Sequence, residues 1–537
     1  MEVRQGDVAS NTRNIIRMMA QARADGVRLV VFPELAVSGI LMAADWLDTT
    51  LLRECEASIT RIIAESVGIA VIFGAPVRLP NGLITNAVVV AENGTLLGTH
   101  HKRLSRQNRF DRATGLACAT EAASPSSPPF TFRHGGDALT VQVVDDTESV
   151  TTTRPDLFVT LTSAPYVRNV TPRTYSGTLP LARCSAVGLV DMGKTVFILE
   201  GASCCVMPDG AKVTAPRFVE STCDLPVADV PPSRPIADTL TVIEAIETAC
   251  ARHLQRQRLS RVVIGASGGI DSALSAAIYA RVVGAENVLL VNMPSRHNSQ
   301  TTVTLARQLA DRLGTYYAEI PIDESVGLTC RQIAGLVCQR PSASPLTLSL
   351  SPSAIENVQA RDRSGRILAA LASAWGGVFT CNANKSEATI GYGTMYGDLA
   401  GFFATLADLW KTEVWEIAAC YNKEIFGSEI IPQGSIDLVP SAELSAEQNV
   451  DEGKGDPLFY PWHDKLFASW TELTPPMTLE DEPDWHEEGR RRFPTPALFR
   501  ADTEKLWALF TGLARAKRLQ APPVLSLKNR TFGFDLR

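Results

Sequence analysis

The chain has 537 residues, 45% hydrophobic and 20% charged, with a formal net charge of −7. That length exceeds what one hydrophobic core organises, so two domains are expected, and the acidic balance argues against nucleic-acid binding, which rests on clustered Lys and Arg. No apolar run reaches the roughly 18–20 residues that cross a bilayer, and none follows the charges of Met1 to Asp7, so a cytoplasmic protein without a membrane partner is expected. Eleven cysteines without a CxxC pair read as reduced thiols. Seven dispersed histidines suggest no zinc site, and the adjacent His100 and His101 would point opposite ways on a strand.

Taken in chain order, a helix is predicted over Asn11 to Arg23, with Ile15, Ile16, Met19 and Ala22 on one side, and a strand over Val27 to Phe32. Further strands are predicted at Ile69–Phe73, Ala87–Ala91, Leu96–His101, Leu139–Val144, Leu157–Leu161 and Val196–Leu199. Turns at Pro80-Asn81-Gly82, Asn93-Gly94 and Pro208-Asp209-Gly210 separate them. Hairpins joined by few helices point to a mixed-sheet sandwich. The three prolines of VADVPPSRP mark a linker, giving a first domain over 1–225, a linker over 226–235 and a second domain over 236–537.

The second domain reads as βαβαβ. A helix over Ile236 to Arg256 precedes the strand Arg261–Ala266, the helix Asp271–Val283 and the strand Val288–Met293. The helix Thr301–Leu313 and the strand Tyr316–Ile320 follow. Short apolar strands between amphipathic helices predict a doubly wound α/β parallel sheet, whose ligands bind beyond the carboxyl ends of the strands.

The segment Ser267-Gly268-Gly269-Ile270-Asp271-Ser272 sits at that edge. Two glycines let backbone N–H groups turn toward an anion, and the following helix adds its N-terminal dipole. Ser267 and Ser272 add hydroxyls, and Asp271 is suited to Mg²⁺. No GxxxxGK[ST] spacing is present, so cleavage between the α- and β-phosphates of ATP is expected, not γ-phosphate transfer. The plain alternative is a helix start that happens to be rich in Gly and Ser.

A second cluster comprises ENVQAR (Glu356–Arg361), which opens a helix running to Trp375, and the strand Val378–Cys381. NANKSE (Asn382–Glu387), GYGTMYGD (Gly391–Asp398) and Leu409 to Thr412 complete it. It brings a carboxylate and cations to the same sheet edge: Glu387 as second Mg²⁺ ligand, with Arg361 and Lys411 neutralising phosphates. The alternative is a set of surface salt bridges. The polar, acidic stretch Ala442–Pro457 reads on its own as a solvated loop.

SGGIDSAL, NMPSRHNS, ENVQAR, NKSE, YGTMYGD, LWKTEVW, PSAEL and KRLQAPPVL, in this order, resemble the synthetase domain of the two-domain, glutamine-dependent NAD⁺ synthetases over Ile236 to Arg537. The resemblance implies a ligase in which nicotinic acid adenine dinucleotide (deamido-NAD) is activated by ATP to an acyl-adenylate and then attacked by ammonia. By the same resemblance Gly265, Ala266, Ser267, Gly268, Gly269, Ile270, Asp271 and Ser272 form the ATP loop, joined by Arg296, Asn382 and Lys411. Asp271 and Glu387 hold Mg²⁺ and act with Lys411 in catalysis; Arg361, Glu387, Asp398 and Lys517 bind the dinucleotide. Asn382 and Ala383 stand where the family has Thr and Gly. A homo-oligomer, at least a dimer through the synthetase domain, is also implied.

The first domain resembles nitrilase-type glutaminases, α-β-β-α sandwiches that use a Glu–Lys–Cys triad. VVFPEL supplies Glu34 and HKRL supplies Lys102. Val144 stands at the position of the cysteine, in Val143-Val144-Asp145-Asp146, and has no thiol to activate. The nearest cysteines, Cys118 and Cys184, lie far from that strand end, the family's first strand is missing before Met1, and 103–115 keeps little of the family pattern. These departures imply a silent amidase and nitrogen drawn from ammonia. Two alternatives are a glutamine-using synthetase with a displaced nucleophile and a non-catalytic nucleotide-binding scaffold.

Overall fold

The structure, a computed structural model, describes residues 1–41, 43–102, 128–134, 137–145, 155–168, 179–208, 212–223, 238–473, 477 and 486–528. It divides into two compact units, 1–192 with 197–236 and 193–196 with 237–537. The linker expected at 226–235 lies outside the described residues.

In the first unit, α1 (Val8–Ala24) begins where the Asp7 carboxylate accepts the Ser10 N–H, and it buries Ile15 and Met19. After β1 (Leu29–Val31) comes a helix absent from the sequence reading, α2 (Thr49–Ala64), started by Asp48 accepting the N–H groups of Thr50 and Leu51. Strands β2 (Ala70–Arg78), β3 (Ile84–Glu92) and β4 (Thr95–His101) complete a sheet of order β1-β2-β3-β4, with β1 parallel to β2 and the others antiparallel.

A second sheet contains β5 (Phe130–His134), β6 (Asp137–Val143), β7 (Leu157–Thr162) and β8 (Leu181–Ser185). The strands β9 (Val187–Asp191) and β10 (Thr195–Glu200) lie side by side outside it, and β11 (Cys204–Val206) and β12 (Lys212–Thr214) extend it to the order β12-β11-β8-β7-β6-β5. The hairpin residues Asp209 and Gly210 lie outside the described residues.

Alternation along the strands builds the layers. Ala70, Ile72, Val88 and Val90 face Phe132, Val141, Val159 and Leu161 of the second sheet. Val71, Phe73, Ala75, Val89 and Ala91 face Ile15, Met19, Leu52 and Ile62 of the two helices. One helical layer and two sheets of the expected sandwich are thus present; a second outer helical layer is absent among the described residues.

In the second unit, α3 (Asp238–Arg256) leads to β13 (Val262–Gly265), α4 (Ile270–Val283), β14 (Val288–Asn292), α5 (Gln300–Leu313) and β15 (Tyr316–Glu319). Then come α6 (Asp323–Ile333), a small hairpin of β16 (Val337–Cys338) and β17 (Leu346–Thr347), and α7 (Pro352–Arg361). A π-helical stretch at Asp362–Leu368 joins α7 to α8 (Ala369–Trp375), which leads to β18 (Val378–Phe379). The sheet is wholly parallel, in the order β15-β14-β13-β18.

Val263 and Val291 pack on Ile367, Leu368 and Ala372, whereas Val262, Ile264 and Leu290 alternate to the other face. Helix α4 is buried there through Ala273, Leu274, Ala277 and Ile278. Helices therefore cover both faces, as the apolar strands demand. Chain order runs from β13 outward to β15 and then returns to β18 on the far side of β13. The switch point, where such sheets bind ligands, is the gap between β13 and β18. Short helices α9 (Lys385–Ile390) and α10 (Lys411–Cys420) follow β18. An aromatic cluster on α11 (Tyr460–Thr471) and α12 (Pro496–Thr511) packs behind them through Trp462, Phe467, Trp470, Phe499 and Phe510, ahead of α13 (Leu513–Gln520).

Candidate active site

The loop leaving β13 is shaped by close backbone approach. Gly268 has φ +87°, and a Cβ there would stand 2.2 Å from the Thr302 carbonyl oxygen, so only glycine fits. Ser272 Oγ donates to Gly269 O at 2.9 Å and accepts from Ser267 N at 3.2 Å, closing the turn. Gly269 is the N-cap of α4 and brings no side-chain cap. The first N–H groups of the helix therefore receive no side-chain cap from Gly269. Glu443 of PSAEL fixes the start of α5, whose Thr302 lies against Gly268: it accepts from Ser299 N at 3.1 Å, Asn298 Nδ2 at 3.1 Å and Thr302 Oγ1 at 2.6 Å.

The loop leaving β18 meets it at the switch point. Asn382 Nδ2 donates to Gly265 O at 3.3 Å. Asn384 caps α9 by accepting the Glu387 N–H at 3.1 Å, and its Nδ2 donates to Asp271 Oδ1 at 2.9 Å. Lys411, at the start of α10, then reaches both carboxylates: its Nζ is 2.5 Å from Asp271 Oδ2 and 3.3 Å from Glu387 Oε1.

The lysine side chain is 3% exposed and each carboxylate 18%. Burial pushes the Glu387 carboxyl above its ordinary value, Lys411 opposes this, and the Asp271 charge adds to it. Burial alone would lower the Lys411 ammonium, but the charges of Asp271 and Glu387 outweigh it and raise it. Asp271 and Glu387 thus meet on one ammonium.

A second grouping lies nearby in the same unit. Lys517 Nζ donates to Gly391 O at 2.8 Å and Gly393 O at 2.6 Å, and Arg361 Nε donates to Met395 O at 3.1 Å. Burial raises the Asp398 carboxyl, opposed by the Thr394 N–H at 2.7 Å and by Lys517. Burial lowers the Lys517 ammonium, with Asp398 resisting and Arg361 reinforcing, so the three charges feel one another. Arg296 stands apart: 70% exposed, it pairs with Asp323 at 2.9 Å. Lys385 of NKSE is wholly buried and pairs with Asp408 and Glu472, not with Asp271 or Glu387.

The sequence reading missed Asn384, Glu443, Asp456 and Tyr460. Asn384 and Glu443 lay inside quoted motifs and could have been found as cap and brace. Asp456 lay in the acidic stretch that reads on its own as solvated, although NVDEGKGDP within it resembles one subgroup of the family.

In the first unit, Lys102 Nζ is 2.7 Å from Glu34 Oε1 and 2.8 Å from Leu161 O, and Asn86 Nδ2 donates to Glu34 at 2.5 Å. Val144, 6% exposed, follows β6 and donates its N–H to Val159 O at 2.9 Å. His100 and His101 diverge as expected, to Asp145 and to Thr85. Cys184 donates to Val31 O at 3.3 Å, and burial pushes its thiol up to about 11. Cys118, Asp146 and the 103–115 stretch lie outside the described residues. Cys184 is expected to resist iodoacetamide near neutral pH in the folded protein and to react after unfolding, as peptide mass mapping would read; rapid native labelling would contradict this.

Residues 242–475 match the NAD synthase family and residues 1–154 the carbon-nitrogen hydrolase family. A glutamine-dependent NAD(+) synthetase of Rhodobacter capsulatus is 32% identical over 481 residues, covering 82% of each chain. The chain belongs to the glutamine-dependent NAD(+) synthetase family. The corresponding synthetase of Xanthomonas campestris is 29% identical across 99% of this chain and 94% of its own. The fold is also that of the Cytophaga hutchinsonii synthetase, with a TM-score of 0.77 at 17% identity, covering 99% of this chain and 94% of that one. As a glutamine-dependent NAD(+) synthetase family member the chain is a carbon–nitrogen ligase of NAD biosynthesis, its sandwich the nitrilase-like part and its parallel sheet the synthetase. No helix among the described residues is long and apolar enough to cross a membrane.

Proposed function

We propose that this ligase amidates nicotinic acid adenine dinucleotide to NAD⁺ at the expense of ATP, taking its nitrogen from ammonia beside a silent amidase centre. The observation that carries the reading is the convergence of Asp271 and Glu387 on Lys411 Nζ, directly beside the uncapped start of α4. In this reading the N–H groups of the Ser267–Gly269 loop and the α4 start hold the phosphates, aided by Ser267, Ser272 and Asn382, whereas Arg296 would first have to leave Asp323. Arg361, Asp398 and Lys517 seat the dinucleotide. Its pyridine carboxylate attacks the α-phosphorus, pyrophosphate leaves, and ammonia then displaces AMP from the acyl carbon.

Two carboxylates without a thiolate or imidazole form a hard oxygen set that fits Mg²⁺. When bound by Asp271 and Glu387, Mg²⁺ supplies charge neutralisation for the departing pyrophosphate. Lys411 is placed to carry positive charge toward the α-phosphate, and burial keeps that charge undiluted by water. A homo-oligomer, at least a dimer through the second unit, forms part of the reading.

Val144 supports ammonia as the nitrogen source: Glu34 and Lys102 remain paired while the residue between strand and turn carries no nucleophile. Rates with ammonium chloride and with glutamine, compared in ammonia-free protein, test it. NAD⁺ formation is expected with ammonium and only at the enzyme-free blank with glutamine. Equal turnover on glutamine would overturn the silent-amidase reading.

A further inference from the structure

Lys411 holds both carboxylates that the magnesium reading assigns to a cation, so the cation and the ammonium compete for the same oxygens. A divalent ion bonds such oxygens at about 2.1 Å. It cannot share Asp271 Oδ2 with an ammonium 2.5 Å away unless that ammonium moves. At 3% exposure Lys411 has no open path to water, and an unpaired buried charge is costly.

The structure holds a third carboxylate whose charge acts on the same ammonium. Asp456 closes the acidic stretch, its N–H fixed on Pro440 O at 2.8 Å. Its Oδ2 accepts the Tyr460 hydroxyl at 2.8 Å, and Tyr392 faces the same carboxyl. The other oxygen, Oδ1, is buried and accepts no hydrogen bond. Tyr460 connects the two groups, because the Lys411 ammonium already lies 5.4 Å from the centre of its ring. The Asp456 charge acts on Lys411 and Glu387, and the Asp271 charge acts on Asp456.

Resting on the magnesium reading above, we propose that Asp456 is a positioning residue whose Oδ1 receives the Lys411 ammonium when a divalent cation takes Asp271 and Glu387. The lysine stem swings across the Tyr460 face, stays buried and remains paired. Without Asp456 the cation would have to bind against a trapped positive charge.

The experiment titrates Mn²⁺ alone into the full-length protein and reads free ion by electron paramagnetic resonance. The wild type is expected to bind, Asp271→Asn to lose binding, Asp456→Asn to bind about tenfold more weakly, and Asp456→Glu to recover most of the loss. Wild-type affinity in Asp456→Asn, with Asp271→Asn still deficient, overturns the inference and leaves the magnesium reading standing. Equal weakening in Asp456→Asn and Asp456→Glu marks a packing role and also overturns it. No binding by the wild type, or undiminished binding by Asp271→Asn, defeats the magnesium reading itself and the inference with it.

Discussion

Asp271→Asn is expected to lower the rate of NAD⁺ formation about a hundred- to thousandfold, the range typical of removing one electrostatic contact to developing charge. The substitution keeps the shape of the side chain and an oxygen for Asn384 Nδ2, so the loop between β13 and α4 should keep its turn. What disappears is half of the negative charge facing Lys411. With Glu387 as the one carboxylate still hydrogen-bonded to it, the buried ammonium is undercompensated and the oxygen set falls to one carboxylate. Steady-state turnover at saturating ATP reads the effect, and circular dichroism checks that the fold survives. A variant retaining more than about a tenth of wild-type kcat would place the chemistry elsewhere.

The second large effect concerns stability. Lys385 is 0% exposed, with its Nζ 2.8 Å from Asp408 Oδ1 and 2.8 Å from Glu472 Oε1, and the Trp410 ring 5.0 Å away. The other Asp408 oxygen accepts the N–H groups of Leu527 and Lys528, tying the residues after α13 to the start of α9. Lys385→Met fills the volume but strands two carboxylates, one of them wholly buried. Breaking such a buried pair from one side costs about 3–5 kcal/mol. Seven of the eight tryptophans belong to the second unit, so tryptophan fluorescence during urea unfolding reads that unit. A loss under about 1 kcal/mol would contradict the structural role given to this lysine.

The sequence was most legible where one physical constraint spans few residues. The run RVVIGASGGIDS announces a buried strand, a turn requiring positive φ and a helix start, and Gly268 against Thr302 shows why that turn admits no side chain. The order of the parallel sheet then brings the NANKSE loop to the same edge, so Asp271 and Glu387 meet although 116 residues apart in sequence. NKSE itself held two kinds of residue, and its pattern does not separate them. Lys385 turns inward to Asp408 and Glu472, while Glu387, two positions on, turns toward Lys411.

Contacts made by long loops stayed hidden. Asp456 sits in a polar stretch whose composition resembles solvent-exposed chain, and only its seating against Pro440 and Tyr460 directs the carboxyl inward. Helix α2 was missed for another reason. Arg, Glu and Thr interrupt its apolar positions, and the buried face of Leu52, Cys55 and Ile62 shows only when the Asp48 cap sets the helix start.

In the first unit, Glu34 and Lys102 were readable only through the resemblance of VVFPEL and HKRL to nitrilase-type glutaminases, and the structure pairs them at the ends of two strands of one sheet. The same placement makes Val144 informative: the backbone continues its ladder with Val159, and the side chain offers only methyl groups.

The central claim is that the dinucleotide carboxylate is joined to the α-phosphate of ATP before the amide forms. With that carboxylate enriched in ¹⁸O, the reaction in the presence of ammonium should yield AMP carrying one ¹⁸O atom and unlabelled pyrophosphate, in step with NAD⁺. Label found in orthophosphate alongside ADP, or NAD⁺ formed with unlabelled AMP, would contradict it.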